Sequence, residues 1–407
     1  RASTSSGQRV DLDVLALAYV PAGAASPVLQ SVTQPASGLA TIVSGQVRYT
    51  PNAGFSGSDG FTYTLAADGK VSTGRILVEV AAVTQELPAP LRVVNVTDRA
   101  SLQAALAAAL PGDRIQLANG TYAGAALTFA RSIATTAARP VVIAAANKLG
   151  AKVTLAFETQ VPHTVFWGLH MDGAPLRVKS SYSRVLRCKH SDCESSAIVL
   201  YGPTTGIEIG YCDISVKPYT FGTAPAAGKK DRRGIDVSMS GDADAPKQVR
   251  VHHCWLHDFG MKPLSDYDSG QNHPLRTAET SSQANASSRW LIEYNLLERC
   301  DCSVPTADGK SIKSRVGTLE PKSSDNVIRY NTCVDSPGFI QMRQGFNNQL
   351  IGNWIENSGG LVLYGGGPAS ASLRADPNQT DNHKVIGNYL KNTIAGIRVL
   401  AGQEEEW

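Results

Sequence analysis

Residues 318–345 read TLEPKSSDNVIRYNTCVDSPGFIQMRQG. Within this stretch the phrase VIRYN closes on Asn331, and a shorter form of it, LIGN, closes on Asn353, 22 residues later. The same pattern of apolar residues ending in Asn or Cys occurs earlier as RVLRC to Cys188, EIGYC to Cys212, RVHHC to Cys254 and LIEYN to Asn295, and later as VIGN to Asn388. Successive spacings are 24, 42, 41, 36, 22 and 35 residues. The short intervals are bare coils, and the long ones carry insertions at 217–248, 259–289 and 301–321. Such short repeats cannot bury an apolar face alone, so they must stack, which predicts a solenoid of parallel strands with rungs roughly 4.8 Å apart. Asn at one fixed turn position suits a ladder of amides bonding backbone groups of the next coil. The insertions then fall on one face and wall a groove. In this register Lys322 and Arg343, 21 residues apart, sit on neighbouring rungs, and two cations so placed suit an anionic substrate.

Working outward, 407 residues is long for one core, so two domains are expected. Hydrophobic residues make up 42% and charged residues 18%, and no run of eighteen apolar residues suggests a membrane span. Residues 1–83 alternate polar and apolar in VDLDVLALAYV, ATIVSGQVRYT, DGFTYTLAA and STGRILVEVAA, separated by Gly, Pro, Ser and Asn, which predicts a β-sandwich. The phrase VRYTPNAGFSGSDGFTYTLAADG resembles immunoglobulin-like or cadherin-like modules of bacterial surface and secreted proteins, which implies an extracellular spacer. Its Asp11, Asp13, Asp59 and Asp68 are read as turn and edge residues in preference to calcium ligands. TQELPAP at 84–90 is the expected linker, because two nearby prolines disfavour helix and central strand. The solenoid occupies 91–407. It opens on a short amphipathic helix in TDRASLQAALAAAL, capped by Thr97, Asp98 or Ser101 and ended by Pro111. The first residues, RASTSSGQ, lack the apolar core of a signal peptide, and the expected location is secreted, periplasmic or cell-surface.

Net charge is +3, with the basic excess in the later part: from Lys310 to Arg343 there are six Lys/Arg against three Asp/Glu. That excess suits a polyanion. Nucleic acid is disfavoured, since the excess is modest and no interleaved aromatic platform accompanies it. Seven cysteines is an odd number, and the repeat positions of Cys188, Cys212 and Cys254 predict a ladder of buried thiols. CDC at 300–302 is weak evidence for a metal. VHHCWLHDF gathers His252, His253, Cys254 and His257, but alternation along a strand sends His252 and His253 to opposite faces, so coil packing is preferred to a zinc site.

Residues 322–345 resemble the Lys-Ser…Asn…Asn-Thr…Arg-His-Gly pattern of polysaccharide lyase family six, the family of chondroitinase B and many alginate lyases. The likeness reaches back through SRWLIEYNLLERCD and GLHMDG to PGDRIQLANGTY at 111–122. It implies an all-β chain in which a right-handed parallel β-helix follows the β-sandwich, and a lyase that cleaves a uronate-containing polysaccharide by β-elimination. Such a reaction must neutralise the uronate carboxylate, remove the adjacent proton and assist the departing glycosidic oxygen. The resemblance makes Lys322 the base, its proton loosened by partial burial and by Arg329, Arg343 and Arg315, and makes Arg343 the residue that assists the leaving oxygen. SDYDSGQNHPLRTAET at 265–280 supplies subsite candidates Asn272 and Arg276, with His273 to position or protonate substrate. Tyr267 and Tyr364 are alternative proton donors, while Asp266, Asp268 and Glu279 are read as loop or capping residues.

The chain departs from that pattern at three points. Gln344 stands where the family has histidine and is a substrate-binding candidate, and GGLVLYGGG at 359–367 lacks an arginine. The family's calcium-binding acidic pair lies five and seven residues before the lysine, and ungapped counting gives Gly317 and Arg315 there. Glu320 with Asn272 is a thin oxygen set for an ion that takes six to eight. The expectation is therefore that no cofactor is required, with calcium as the alternative, and that Arg315 together with Lys313 binds the substrate carboxylate in place of the metal. The expected partner is an anionic polysaccharide acted on by a monomer, with alginate first, chondroitin or dermatan second and a bacterial exopolysaccharide third, an order that follows how common these substrates are in the family. Two rival functions are a glycoside hydrolase, which needs paired carboxylates such as Asp266, Asp268 or Glu320, and a non-catalytic polysaccharide-binding surface protein.

Overall fold

A computed structural model describes residues 2–5, 9–16, 18, 25–52, 57–81, 87–217, 232–238, 245–260, 273–278, 287–300, 303–305, 312–315, 317–342, 345–365 and 382–401. The chain divides into two compact units, 1–88 and 89–407.

In the first unit a four-stranded sheet (Ala2–Ser5, Lys70–Ala81, Gly57–Ala67 and Val28–Val32, in that order) and a three-stranded sheet (Val10–Leu12, Gln46–Pro51 and Gly38–Val43) share one core. Alternation decides which side chains enter it. Along Gln46–Pro51, Val47 and Tyr49 turn inward, while Arg48 turns out to meet Asp11 at 2.7 Å. The carboxylates of this unit serve turns and edges. Asp59 accepts from the N–H groups of Ala36 and Ser37 and from the Tyr49 hydroxyl at 2.9 Å, Asp13 accepts from Leu15 and Ala16, and Asp68 accepts from Ala25.

The second unit opens with strand Arg92–Val96 and helix Arg99–Ala107. Asp98 caps the helix: its side chain accepts from the Ser101 N–H while the Ser101 hydroxyl accepts from the Asp98 N–H. Leu102, Ala105 and Leu106 fasten the helix to the core. Three parallel sheets then wind together as a β-helix. The first sheet holds eleven strands from Arg92–Val96 to Lys384–Ile386. The second holds ten from Gly120–Tyr122 to Tyr389–Lys391, and the third ten from Leu127–Phe129 to Ile397–Ala401. Each strand is two to six residues long, and the inward row of every rung joins one continuous apolar core.

The turn from first to second sheet repeats in every coil, and here the Cys and Asn positions coincide. The Cys254 N–H donates to Asn295 Oδ1 at 3.0 Å, and the Asn295 N–H and Nδ2 both donate to Asn331 Oδ1. Asn331 does the same to Asn353, and Asn353 to Asn388. A thiol ladder thus passes into an amide ladder at one turn position. Cys188, Cys193, Cys212, Cys254, Cys300 and Cys333 are free and buried; Cys302 lies outside the described residues. A second amide step joins Asn326 to Asn348, and Ser358 accepts from the Ser336 N–H in a parallel serine step.

His252 and His253 depart from the expected alternation. His253 leaves the strand at φ 51°, so the two rings meet, with Nδ1 atoms 3.1 Å apart. His252 also reaches Glu208, and His253 stacks between Tyr211 and Tyr294, which accounts for both as coil packing.

The long connections all join the third sheet. Residues 217–234, 260–274 and 301–316 lead into its strands, and 238–249, 277–290 and 366–383 lead out. The outward face of that sheet is thus bracketed in sequence by every large insertion.

Candidate functional site

On the third sheet, Ile235, Leu275, Leu319 and Ile340 turn into the core on successive rungs. The residue after each one turns the other way, giving a row of Asp236, Arg276, Glu320 and Gln341. These four side chains point away from the apolar core and are nevertheless buried. Buried charge is tolerated only when it is paired. Asp236 accepts from Arg276 Nη2 at 3.0 Å, from Arg233 Nη1 at 2.9 Å and from the Ser196 hydroxyl at 2.9 Å. Burial pushes the Asp236 carboxyl up, but the guanidiniums of Arg233 and Arg276 outweigh it and hold the group below the usual carboxylate range.

Glu320 continues the row. Its Oε2 lies 3.1 Å from His273 Nε2 and 3.8 Å from Lys322 Nζ. Glu320 and His273 are fully buried, and Lys322 is 9% exposed. His273 Nδ1 donates to the Gly317 carbonyl at 2.7 Å. Burial lowers the His273 imidazole to about 3, with Glu320 opposing and Arg276 and Arg233 reinforcing the shift. A β-bulge shapes this strand: Gly317 pairs with Phe339 and Leu319 with Ile340, leaving Thr318 as the extra residue. Bulges re-aim the side chains that follow them, here Glu320 and Lys322.

The backbone carrying Lys322 is tied down by its neighbours in the motif. Thr277 Oγ1 accepts from the N–H groups of Lys322 and Ser323, at 3.0 and 3.2 Å, and from the Ser323 hydroxyl. The Ser323 hydroxyl also meets Ser288, and the Ser323 carbonyl accepts from Asn326 Nδ2 at 2.7 Å. The Ser and Asn of the Lys-Ser…Asn pattern therefore act as scaffold for the lysine. Sequence reading did not single out Asp236, Arg233 or Thr277.

Among the other sequence-predicted residues, His273 and Arg276 are buried against Glu320 and Asp236 and do not face solvent. Arg329 stands on the first sheet with its guanidinium on Glu293 at 2.6 Å, so it does not serve Lys322. Asn272, Tyr267, Arg343 and Gln344 lie outside the described residues, as do the side chains of Lys313, Arg315 and Tyr364.

The calcium ion that the family resemblance implies does not fit the described residues. Asp236 is held by two guanidiniums, and Glu320 lies between an imidazole and an ammonium. The Gly317 carbonyl is taken by His273, and a Cβ at 317 would stand 3.2 Å from Glu320 Cβ and 3.3 Å from Gln341 Cβ, so a carboxylate there would need its neighbours to move. Among the described residues no group of three His, Cys, Asp or Glu is gathered for a metal.

Residues 1–80 match the family model described as a bacterial Ig domain. No curated protein matches the chain. Among solved structures it resembles the PL6 family alginate lyase AlyGC, with 18% identity and a TM-score of 0.54 over 75% of this chain and 40% of that one. It also resembles the alginate lyase AlyF-OU02, with 16% identity and a TM-score of 0.50 over 79% of this chain and 63% of that one. The chain thus spans about two fifths of the length of the first, and it shares with both the parallel β-helix fold.

Proposed function

We propose that this chain is an exported polysaccharide lyase that cleaves a uronate-containing chain by β-elimination. The observation that carries the reading is Lys322, a nearly buried amine held on a rigid turn beside a row of paired charges, at the sheet face that all long connections bracket. In the proposed step Lys322 takes the proton next to the uronate carboxylate, the bond to the glycosidic oxygen breaks, and a carbon–carbon double bond forms at the new end. Arg343 assists the leaving oxygen by hydrogen bonding. Its spacing of 21 residues from Lys322 is the sequence expectation for a neighbouring rung. The carboxylate is held by Arg315 with Lys313, without a metal, because a planar guanidinium meets a carboxylate with two parallel bonds. Asn272, Gln344, Tyr267 and Tyr364 remain candidates for the substrate-facing surface, and His273 and Arg276 act from beneath it.

Alginate is the first substrate proposed, followed by chondroitin or dermatan and then a bacterial exopolysaccharide. The solved structures named above are alginate lyases, which supports that order. The bacterial Ig match supports an exported protein, with the first unit as a spacer. Among the described residues no helix is long and apolar enough to cross a membrane. Incubation with a panel of uronans, followed by ultraviolet absorbance, tests the reading. A lyase leaves an absorbing unsaturated sugar, whereas reducing ends without absorbance would indicate hydrolysis, and binding without turnover would indicate a non-catalytic surface protein.

A further inference from the structure

The outward face of the second sheet carries two aromatic stations that the proposed chemistry does not use. One row on that face runs Trp255, Leu296, Thr332, Trp354 and Tyr389 on successive rungs. Trp255 is 37% exposed, Trp354 43% and Tyr389 45%. At each tryptophan the same three parts recur. A second ring covers one face of the indole: His257 stacks on Trp255 with centroids 3.7 Å apart, and Tyr389 on Trp354 at 4.1 Å. A glutamate accepts from the indole N–H, Glu298 from Trp255 and Glu356 from Trp354, both at 3.0 Å. A cation then pairs with that glutamate, Arg299 at 2.8 Å in the first station and Lys391 at 2.7 Å in the second. The two tryptophans stand three rungs apart along the row, a span of ~14 Å.

Rings fixed in this way lose little rotamer freedom when a ligand arrives, so they are preorganised to bind. What they bind follows from charge and shape. The carboxylates along the face are paired: Asp213 with Lys189 and His257, Asp258 with His257 and Arg299, Glu298 with Arg299, and Glu356 with Lys391. Such a face offers a polyanion little net attraction. Tyr389 and Thr332 flank Trp354 on the two neighbouring rungs, and with Tyr389 stacked on one face of the indole the other is left to the shorter threonine. Like stations repeated in one row suit a linear ligand that repeats along its length, in contrast to the irregular surface of a folded protein. A pyranose has an apolar C–H face that covers an indole, and a rim of hydroxyls that bonds carboxylates and cations at the indole edge. We propose that this row binds a neutral polysaccharide, with one sugar unit seated on Trp354 and another on Trp255 beside Arg299, and so holds the enzyme on a glycan other than the one it cleaves. The row stands on the second sheet and Glu320 on the third, so the neutral chain and the uronan do not compete for one surface.

The test is affinity electrophoresis of the full chain in native gels that contain hydroxyethyl cellulose, laminarin, galactomannan or arabinoxylan, with alginate as the charged comparison. At least one of the neutral glycans is expected to retard the parent protein. Trp255→Ala and Trp354→Ala are each expected to weaken that binding by about tenfold, the scale of losing an aromatic anchor, and the double variant to migrate as in a gel without glycan. In gels with alginate alone the double variant is expected to migrate as the parent does. Absence of retardation by every neutral glycan would overturn the proposal, and so would retardation that survives in the double variant. A change in alginate mobility in the double variant would also overturn it, by making the row part of uronan binding. Self-association in sedimentation that the double variant abolishes would overturn it in favour of a second copy of this chain. Should an alanine variant fail to fold, oxidation of Trp255 and Trp354 in the parent, read by mass spectrometry, still decides: the retarding glycan is expected to slow it severalfold, and an unchanged rate would overturn the proposal. If a neutral glycan binds and no uronan is cleaved, the lyase reading fails while this one stands, and cleavage without neutral binding has the reverse meaning.

Discussion

Gly345 lies against Ser323. Its backbone takes φ +81°, and a Cβ at that position would stand 2.3 Å from the Ser323 carbonyl oxygen. The glycine that closes the MRQG phrase is therefore needed because the next rung passes directly over the residue following Lys322. Gly345→Ala is expected to cost at least ~2 kcal/mol, from the left-handed backbone and from displacement of a backbone oxygen. Thermal unfolding measures it. A loss below about 0.5 kcal/mol would show that the two coils are not in this contact.

The amide ladder gives a second prediction. Asn331 Oδ1 receives both the N–H and Nδ2 of Asn295, while its own Nδ2 donates to the Ile292 carbonyl at 2.9 Å. Asn331→Leu takes the acceptor from the Asn295 N–H and the donor from the Ile292 carbonyl, each at about 1–3 kcal/mol, while Asn295 Nδ2 keeps the Val251 carbonyl at 3.0 Å. The expected loss is ~3 kcal/mol or more in denaturant unfolding. Asn392→Ala, at an exposed step on the surface, is expected to change stability by less than about 1 kcal/mol.

His190 is the reverse case. It is fully buried among the inward residues of the second sheet, and neither ring nitrogen has a hydrogen-bond partner among the described residues. His190→Leu is expected to stabilise the chain by about 1 kcal/mol or more, because burying an unbonded polar group is costly. Burial, helped by His170 and opposed by Asp213, lowers its imidazole from 6.5 to about 3. The unfolded chain thus binds a proton that the folded chain refuses between those values. Stability supported by neutral His190 is complete above pH 6.5 and falls as pH drops toward 3, at up to about 1.4 kcal/mol per pH unit. The leucine variant should lose part of this acid sensitivity, and an identical pH profile in both proteins would contradict the assignment.

The solenoid was legible because its repeat ends on a side chain that bonds the next coil: Cys254, Asn295, Asn331, Asn353 and Asn388 mark one turn position at irregular intervals. The steps through Asn326, Asn348, Ser336 and Ser358 were harder to see, since they recur over fewer coils. Lys322 stood out by its motif, but its surroundings did not. Asp236 and Arg276 are 40 residues apart and meet only because the rungs stack, so nothing local in the sequence pairs them. One signal was available: Asp236, Arg276 and Glu320 each follow an apolar residue that occupies the same inward row. The bulge at Thr318 shifts the register by one residue, which ungapped counting back from Lys322 does not register. Alternation likewise misjudged His253, because a left-handed turn residue no longer obeys the strand period.

The most direct measurement is the rate at which alginate yields ultraviolet-absorbing unsaturated product after exhaustive chelation, with Lys322→Ala alongside. The expected result is a parent rate within twofold with and without EDTA, and a loss of about a thousandfold in Lys322→Ala, the scale of losing a positioned base. The alanine variant should unfold at nearly the parent temperature, since Thr277 and Asn326 hold the backbone independently of the amine. Abolition of activity by EDTA with rescue by calcium, or turnover that survives in Lys322→Ala, would contradict a metal-free site built around this lysine.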